Sequence, residues 1–303
     1  MAAVASVRAP TATMDAAVLV APRVCRVERV RRPEPGRGHV RVRIDGCGVC
    51  GSSLPLWEGR PWFSYPLEPG APGHEGWGIV EAAGPEVEGA LIGRRVALLS
   101  QHAFAQYDVA AADDVVLLPT QLDGLPFPGE ALGCVVNAFG RSDVGPGQTV
   151  AIVGMGFFGS AFARLARAAG AEVVEVRRGT DSSAWHERCE RVLEAAGTQE
   201  ALDSASELVA PRGRLVIAGF HQDGRRTIDL QSWNWRGIDV VNAHERDRRV
   251  CVEGMREAAR LAAAGTLDVE ALATHRFPLE RAGDAFAAAA RREPGFVKAW
   301  VAP

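Results

Sequence analysis

Two groups of residues in this 303-residue chain could do chemistry. The first is Gly46-Cys47-Gly48-Val49-Cys50-Gly51-Ser52-Ser53 together with Gly73-His74-Glu75-Gly76. A thiolate, an imidazole and a carboxylate together suit Zn²⁺, a borderline-soft ion that accepts S, N and O donors in one tetrahedron. Cys47-x-x-Cys50 alone could also be half of a zinc ribbon or a redox pair. The sequence holds no second C-x-x-C, so a four-thiolate site cannot be assembled this way.

The second group is Val150-Ala-Ile-Val-Gly154-Met-Gly156-Phe157-Phe158-Gly159, an apolar strand running into G-x-G-x-x-G and then a helical pattern. Gly154 permits the tight turn, Gly156 lets backbone approach a pyrophosphate, and Gly159 lets helix and strand pack closely. The helix N-terminus offers free N–H groups and a positive dipole end to phosphate. Phe157, Phe158 and Gly219, just past a later strand, join these glycines as candidate cofactor-binding residues. A carboxylate usually meets the ribose 2′-OH at the end of the second strand, but Arg177 and Arg178 stand there. Arginine suits a 2′-phosphate, so NADP(H) is expected over NAD(H).

These residues need elements to hold them. The first 120 residues read as short β-rich runs at 16–20, 24–30, 40–44, 76–82, 95–99 and 115–118, divided by Gly/Pro turns. From Gly145 strands alternate with helices, the pattern of a parallel, doubly wound sheet: strands at 149–153, 172–176, 191–194, 214–218 and 238–241, with helices through 169 and at 199–209 and 250–264. A mixed tail follows, with strands at 275–278 and 297–301 and a helix at 281–292. Lys+Arg is 34 against 37 for Asp+Glu, so no sequence-wide basic field exists for nucleic acid or an anionic membrane. The single lysine, Lys298, reads as coding bias in an arginine-rich chain. No apolar run reaches a membrane span, and six scattered cysteines favour a reducing, cytoplasmic setting. Residues 1–14 read as a disordered N-terminus.

The order of G-C-G-V-C-G-S at 46–52, G-H-E-G at 73–76, G-x-V-E-x-x-G at 78–84, G-R-R-V at 93–96, the dinucleotide loop and T-H-R-F-P-L-E at 274–280 resembles the zinc-containing medium-chain alcohol dehydrogenases, with a ligand pattern like the sorbitol and threonine dehydrogenases. The resemblance implies an α/β protein: a GroES-like β-rich catalytic domain over 15–140, completed by 272–303, and a Rossmann-like domain over 141–271. It implies Cys50, His74 and Glu75 as catalytic metal-site residues, Cys47 as a non-ligand, and Ser52 as the hydroxyl that bonds the substrate oxygen. Register from Gly154 puts Glu130 at the last ligand position, with Cys134 the competitor. One catalytic zinc and no structural zinc are expected, because the four-cysteine lobe is missing after Arg95. A homodimer or homotetramer acting on a small alcohol or ketone is implied, the sheet's edge strand pairing with its mate.

Two departures matter. Ser53 replaces the aspartate that orients the ligand histidine, and Pro55 replaces the proton-passing histidine. The 14 residues between Val176 and Arg191 leave room for one short crossover helix, at Ser182 to Arg188, but not for a further βαβ unit. A five-stranded sheet is therefore expected, not six. His221 and His244 could reach cofactor or substrate, and Trp57, Trp62, Phe63 and Tyr65 could wall the substrate or simply pack. The rival readings are a zinc-free quinone or enone reductase, a biosynthetic tailoring reductase, and a catalytically impaired dinucleotide-binding protein.

Overall fold

The computed structural model describes residues 12–303. Most of the N-terminal stretch expected to be disordered lies outside the described residues, and Thr13 and Met14 already belong to a strand. The chain opens with the antiparallel hairpin β1 (Thr13–Ala21) and β2 (Val24–Arg31). It continues through β3 (His39–Gly48), α1 (Leu54–Glu58), β4 (Glu75–Ala83), β5 (Arg95–Leu98), β6 (Tyr107–Ala111), β7 (Val115–Leu117) and α2 (Gly129–Ser142). Then come β8 (Thr149–Val153), α3 (Phe157–Ala168), β9 (Glu172–Val176), β10 (Cys189–Glu194), α4 (Gln199–Leu208), β11 (Val209–Ile217), α5 (Leu230–Arg236), β12 (Asp239–Asn242) and α6 (Arg248–Ala263). α7 (Val269–Leu272), β13 (His275–Pro278), α8 (Ala282–Arg291) and β14 (Ala299–Ala302) finish the chain.

One seven-stranded sheet runs β13-β14-β3-β4-β5-β7, with β6 also pairing β3. The last strand thus returns to the first part of the chain: Trp300 pairs with Gly48 and Val301 with Cys47. That pairing brings the C-terminal segment to the end of β3, where the Cys50 loop starts.

The second sheet has five strands in the order β12-β11-β10-β8-β9, all parallel. Counted from β8 this is 2-1-3-4-5, the doubly wound order that keeps its switch point beside the first strand. Four of the five residues of β8 are buried, as a strand covered on both faces requires. Between β9 and β10 the expected crossover helix is only a 3-10 turn at Ser183–Trp185. Gly179 takes φ +80° and Asp181 Oδ1 accepts the Ser183 N–H, so the segment spends its residues on turns.

α2 links the two parts. It lies against β4 and β5 on one side and α3 and α6 on the other, and it runs through the boundary expected at residue 140. Gly133 makes the α6 contact possible, since a Cβ there would sit 2.8 Å from the Met255 nitrogen.

Candidate active site

The Cys50 loop leaves β3 and turns into a single 3-10 turn over Gly51–Ser53, while His74 and Glu75 stand at the start of β4. Because β3 and β4 pair with Gly48 opposite Glu75, the loop and the His-Glu pair meet at one end of the sheet. One ligand atom from each of Cys50, His74 and Glu75 lies within 4.8 Å of the others. His74 Nδ1–H donates to the Pro72 carbonyl at 2.8 Å, which leaves Nε2 as the ring nitrogen available to a metal once deprotonated. Burial pulls the His74 pKa down, but Cys50, Glu130 and Glu75 around it outweigh this and raise it to about 10. Ser53, which stands where the resemblance would put an orienting aspartate, is buried at the start of α1, and the hydrogen-bond partner of His74 Nδ1 is the Pro72 carbonyl. Ser52 Oγ donates to Cys50 Sγ at 3.1 Å.

Glu130 stands in the first turn of α2, and Cys134 one turn on donates to its Oε1 at 3.3 Å. Burial raises the pKa of both, Glu130 despite the pull of His74, and Cys134 well above the usual thiol value. The two competing ligands thus meet each other, but the ligand atoms that come within 4.8 Å of one another are those of Cys50, His74 and Glu75 alone among the described residues.

Lys298 was read as compositional bias, yet it sits in this centre, 5% exposed. Its Nζ donates to Glu75 Oε1 at 2.8 Å and to the Val49 carbonyl at 3.4 Å. It also lies 4.3 Å from the Phe157 ring centroid, a cation–π contact. Burial lowers its pKa, but Glu75, Cys50 and Glu130 together raise it above the usual value, so it is an ammonium. Glu75 is fully buried. Lys298 Nζ lies 2.8 Å from both carboxylate oxygens, aligned for a hydrogen bond with Oε1 but not with Oε2.

Phe157 opens α3, so Lys298 ties the Cys50 loop to the dinucleotide loop. Gly154 takes φ +103°, and a Cβ on Gly159 would lie 2.1 Å from the Gly154 carbonyl oxygen. Gly156 caps α3 with no side-chain hydrogen bond and has open space where a Cβ would stand. The first-turn N–H groups thus face free volume, which suits a phosphate. Phe157 and Phe158 follow as the first residues of the helix, half-buried. Gly219 is a packing glycine, since a Cβ there would meet Glu194 Oε2 at 2.4 Å and Gly197 N at 2.3 Å.

Arg177 and Arg178 are both exposed past β9, but among the described residues only Arg177 has a side-chain partner. Arg177 donates to Glu175 Oε2 at 3.0 Å, and Arg167 to Glu175 Oε1 at 2.8 Å. These guanidiniums, Arg167 first, hold the Glu175 carboxyl below its usual range. His221 is spoken for. Arg226 Nε donates to its Nδ1 at 2.8 Å, which leaves Nε2–H to donate to buried Glu194 at 3.0 Å. Glu194 Oε1 also accepts from the N–H groups of Ala196 and Gly197. This Glu194–His221–Arg226 chain braces the ends of β10 and β11. His244 lies with Nε2 3.3 Å from the Gly219 carbonyl. Trp57 is core, stacked on Phe286 at 5.5 Å, Tyr65 bonds the Leu56 carbonyl, and Trp62, packed on Phe63, is 60% exposed.

A family model described as the alcohol dehydrogenase GroES-like domain matches residues 36–178. An alcohol dehydrogenase of Geobacillus stearothermophilus is 33% identical over 189 residues, 51% of this chain and 55% of that protein. The matched stretch thus spans about half of that relative. L-galactonate-5-dehydrogenase of Escherichia coli K12 is 24% identical over 301 residues, 81% of this chain and 86% of that protein. Among solved structures, a zinc-binding dehydrogenase of Sinorhizobium meliloti 1021 bound to NADP superposes with TM-score 0.82 at 24% identity, covering 96% of this chain and all of that one. Fold, glycine loop and metal-type cluster define the class, a GroES-like domain joined to a nucleotide-binding sheet. Residues 36–178 are thus similar to the alcohol dehydrogenase GroES-like domain, and the chain as a whole shares the fold of the dehydrogenase structure it superposes on.

Proposed function

We propose that the protein is a zinc-dependent, NADP(H)-preferring dehydrogenase of secondary alcohols or polyols and the matching ketones. The observation that carries this reading is the convergence of Cys50, His74 and Glu75 within 4.8 Å, with Lys298 joining them to the first residue of the nucleotide helix. Zinc suits the set: the donors are S, N and O, and Glu75 Oε2 is a buried oxygen with unused capacity.

Cys50, His74 and Glu130 would hold the ion, with Glu75 beside them and Cys134 the alternative to Glu130. Bound zinc would supply Lewis acidity to the alcohol oxygen, and bound nicotinamide a hydride acceptor or donor. The chain's own residues do the rest. Ser52 Oγ takes the hydroxyl proton, being the hydroxyl in contact with the ligand set. Pro55 cannot pass that proton on, so solvent must complete the relay. Lys298 offsets the negative charge of Glu75, and the Pro72 carbonyl fixes the His74 tautomer, which keeps Nε2 available to metal. The uncapped first turn of α3 holds the pyrophosphate, which sets the reacting carbon atoms at one end of the cleft.

Arg178 is the better 2′-phosphate ligand, because Glu175 competes for Arg177. Replacing both arginines by alanine is expected to weaken NADPH binding about tenfold or more while leaving NADH binding within about twofold, read by fluorescence titration. Equal losses for both cofactors would refute the preference. The function itself is tested by zinc content and by reduction of NADP⁺ and NAD⁺ over secondary alcohols, sugars and cyclitols. A zinc-loaded protein that oxidises none of them with either cofactor sinks the proposal.

We also propose a dimer through the free edge of β12. Trp235 is 89% exposed, and Leu230, Ile228 and Val240 are exposed near it along the chain, more apolar surface than a lone edge strand tolerates. Light scattering should give twice the chain mass at micromolar concentration, and a single-chain mass would count against the edge. All six cysteines are unpaired and no described helix is long and apolar enough to cross a membrane. Free thiols support a cytoplasmic setting.

A further inference from the structure

The molecule holds a cation beside the candidate active site that the mechanism above does not use. Arg292 caps α8 with φ 50° in the left-handed region. That bend turns its side chain toward the Cys50 loop: a Cβ built on Gly51 would lie 3.5 Å from Arg292 Nη2. Its side chain makes one hydrogen bond among the described residues, from Nε to the Ala289 carbonyl at 3.3 Å. No carboxylate pairs with it among the described residues. Its neighbour Arg291 behaves differently, donating to Glu293 at 3.1 Å. Guanidinium is built for bidentate contact with paired anionic oxygens, and this one has its fork unspent.

Its position gives the fork a use. Lys298 touches both the Val49 carbonyl and the Phe157 ring, so the 49–52 loop and the start of α3 face each other across one ammonium. An oxyanion resting on the first turn of α3, or tethered to a substrate bound by Ser52, has Gly51 and Arg292 on its other side. Glycine at 51 leaves that approach clear.

We propose that Arg292 is an anion anchor of this cleft, holding either a cofactor phosphate or an acidic group on the substrate alcohol. The inference rests on the dehydrogenase reading. The anchor clamps from the β domain what α3 holds from the nucleotide domain.

The test uses the zinc-loaded full chain with Arg292→Met, Gly51→Glu and, as control, Arg291→Met. Gly51 has no positive φ, so a side chain fits the backbone there, and a glutamate would capture Arg292 internally. NADPH dissociation constants are read by fluorescence, and KM is compared for a hydroxy acid and a neutral polyol. Both site variants are expected to lose about tenfold to a hundredfold in one arm, with Arg291→Met unchanged. A rise in the NADPH constant assigns the anion to the cofactor. A rise in KM for the hydroxy acid alone assigns it to the substrate. The anchor is overturned if neither arm moves, if acidic and neutral substrates suffer alike with NADPH binding intact, or if Arg291→Met does equal harm. Wild-type protein that binds no nicotinamide cofactor would instead sink the dehydrogenase reading.

Discussion

Cys50→Ser is expected to yield a folded chain that has lost its metal. Serine keeps the shape of the turn but offers a neutral hydroxyl, a far weaker zinc donor than thiolate. The Ser52 hydroxyl also loses the sulfur it bonds at 3.1 Å. Even loss of an outer partner of a ligand typically costs 10- to 100-fold in metal affinity, so loss of the thiolate should cost at least ~100-fold. Zinc should fall from about one per chain to a small fraction, and alcohol-dependent NADP⁺ reduction should vanish with it. NADPH binding should persist, because the glycine loop is untouched. The comparison is Cys47→Ser. Cys47 is fully buried on β3, and burial first, then Glu75, pushes its thiol well above the usual pKa. That variant should melt earlier yet keep its zinc. A Cys50→Ser protein with wild-type zinc content would remove Cys50 from the site.

Lys298→Met should be the most destabilising single change near the site. It deletes the ammonium from a pair in which both partners are buried, and so leaves the Glu75 carboxylate without a counter-ion. Breaking a buried pair by removing one partner costs about 3–5 kcal/mol, several times a typical surface change. The double variant Lys298→Met with Glu75→Gln should recover most of that loss, since a neutral pair needs little compensation. Denaturant midpoints of the metal-free proteins provide the measurement. A single variant within ~0.5 kcal/mol of wild type, the range of ordinary surface substitutions, would mean that solvent already screens this pair. Added zinc should narrow the gap, because the cation would take over part of the lysine's role beside Glu75.

The two loops were legible because each carries its chemistry in a few adjacent residues, and the five-stranded sheet because 14 residues cannot hold another βαβ unit. Lys298 was not, since its partner Glu75 lies 223 residues away and only the pairing of β14 with β3 brings them together. A single ammonium in a chain of guanidiniums was itself the signal: a compact point charge fits where a planar fork would not. The room is tight, for a Cβ on Gly48 would meet Lys298 Cε at 2.8 Å and Glu75 Oε2 at 1.9 Å. The boundary expected at residue 140 falls inside α2, whose Gly133, a poor helix former, serves a close helix crossing. Glu175 near the end of β9 and Arg177 just past it lie two residues apart, a spacing that in extended chain puts both side chains on one face. Read that way, it would have singled out Arg178. The Pro72 carbonyl on His74 Nδ1 was not legible either, because backbone groups leave no residue-type mark.

One buried lysine also makes this chain unusual for the bench. The sequence has one lysine, and its ε-amine is buried against Glu75, the Val49 carbonyl and the Phe157 ring. Amine-directed acylation therefore finds no lysine on the surface of the folded molecule. The rate at which Lys298 becomes labelled is then a direct clock for opening of the cleft, with no probe to be engineered in.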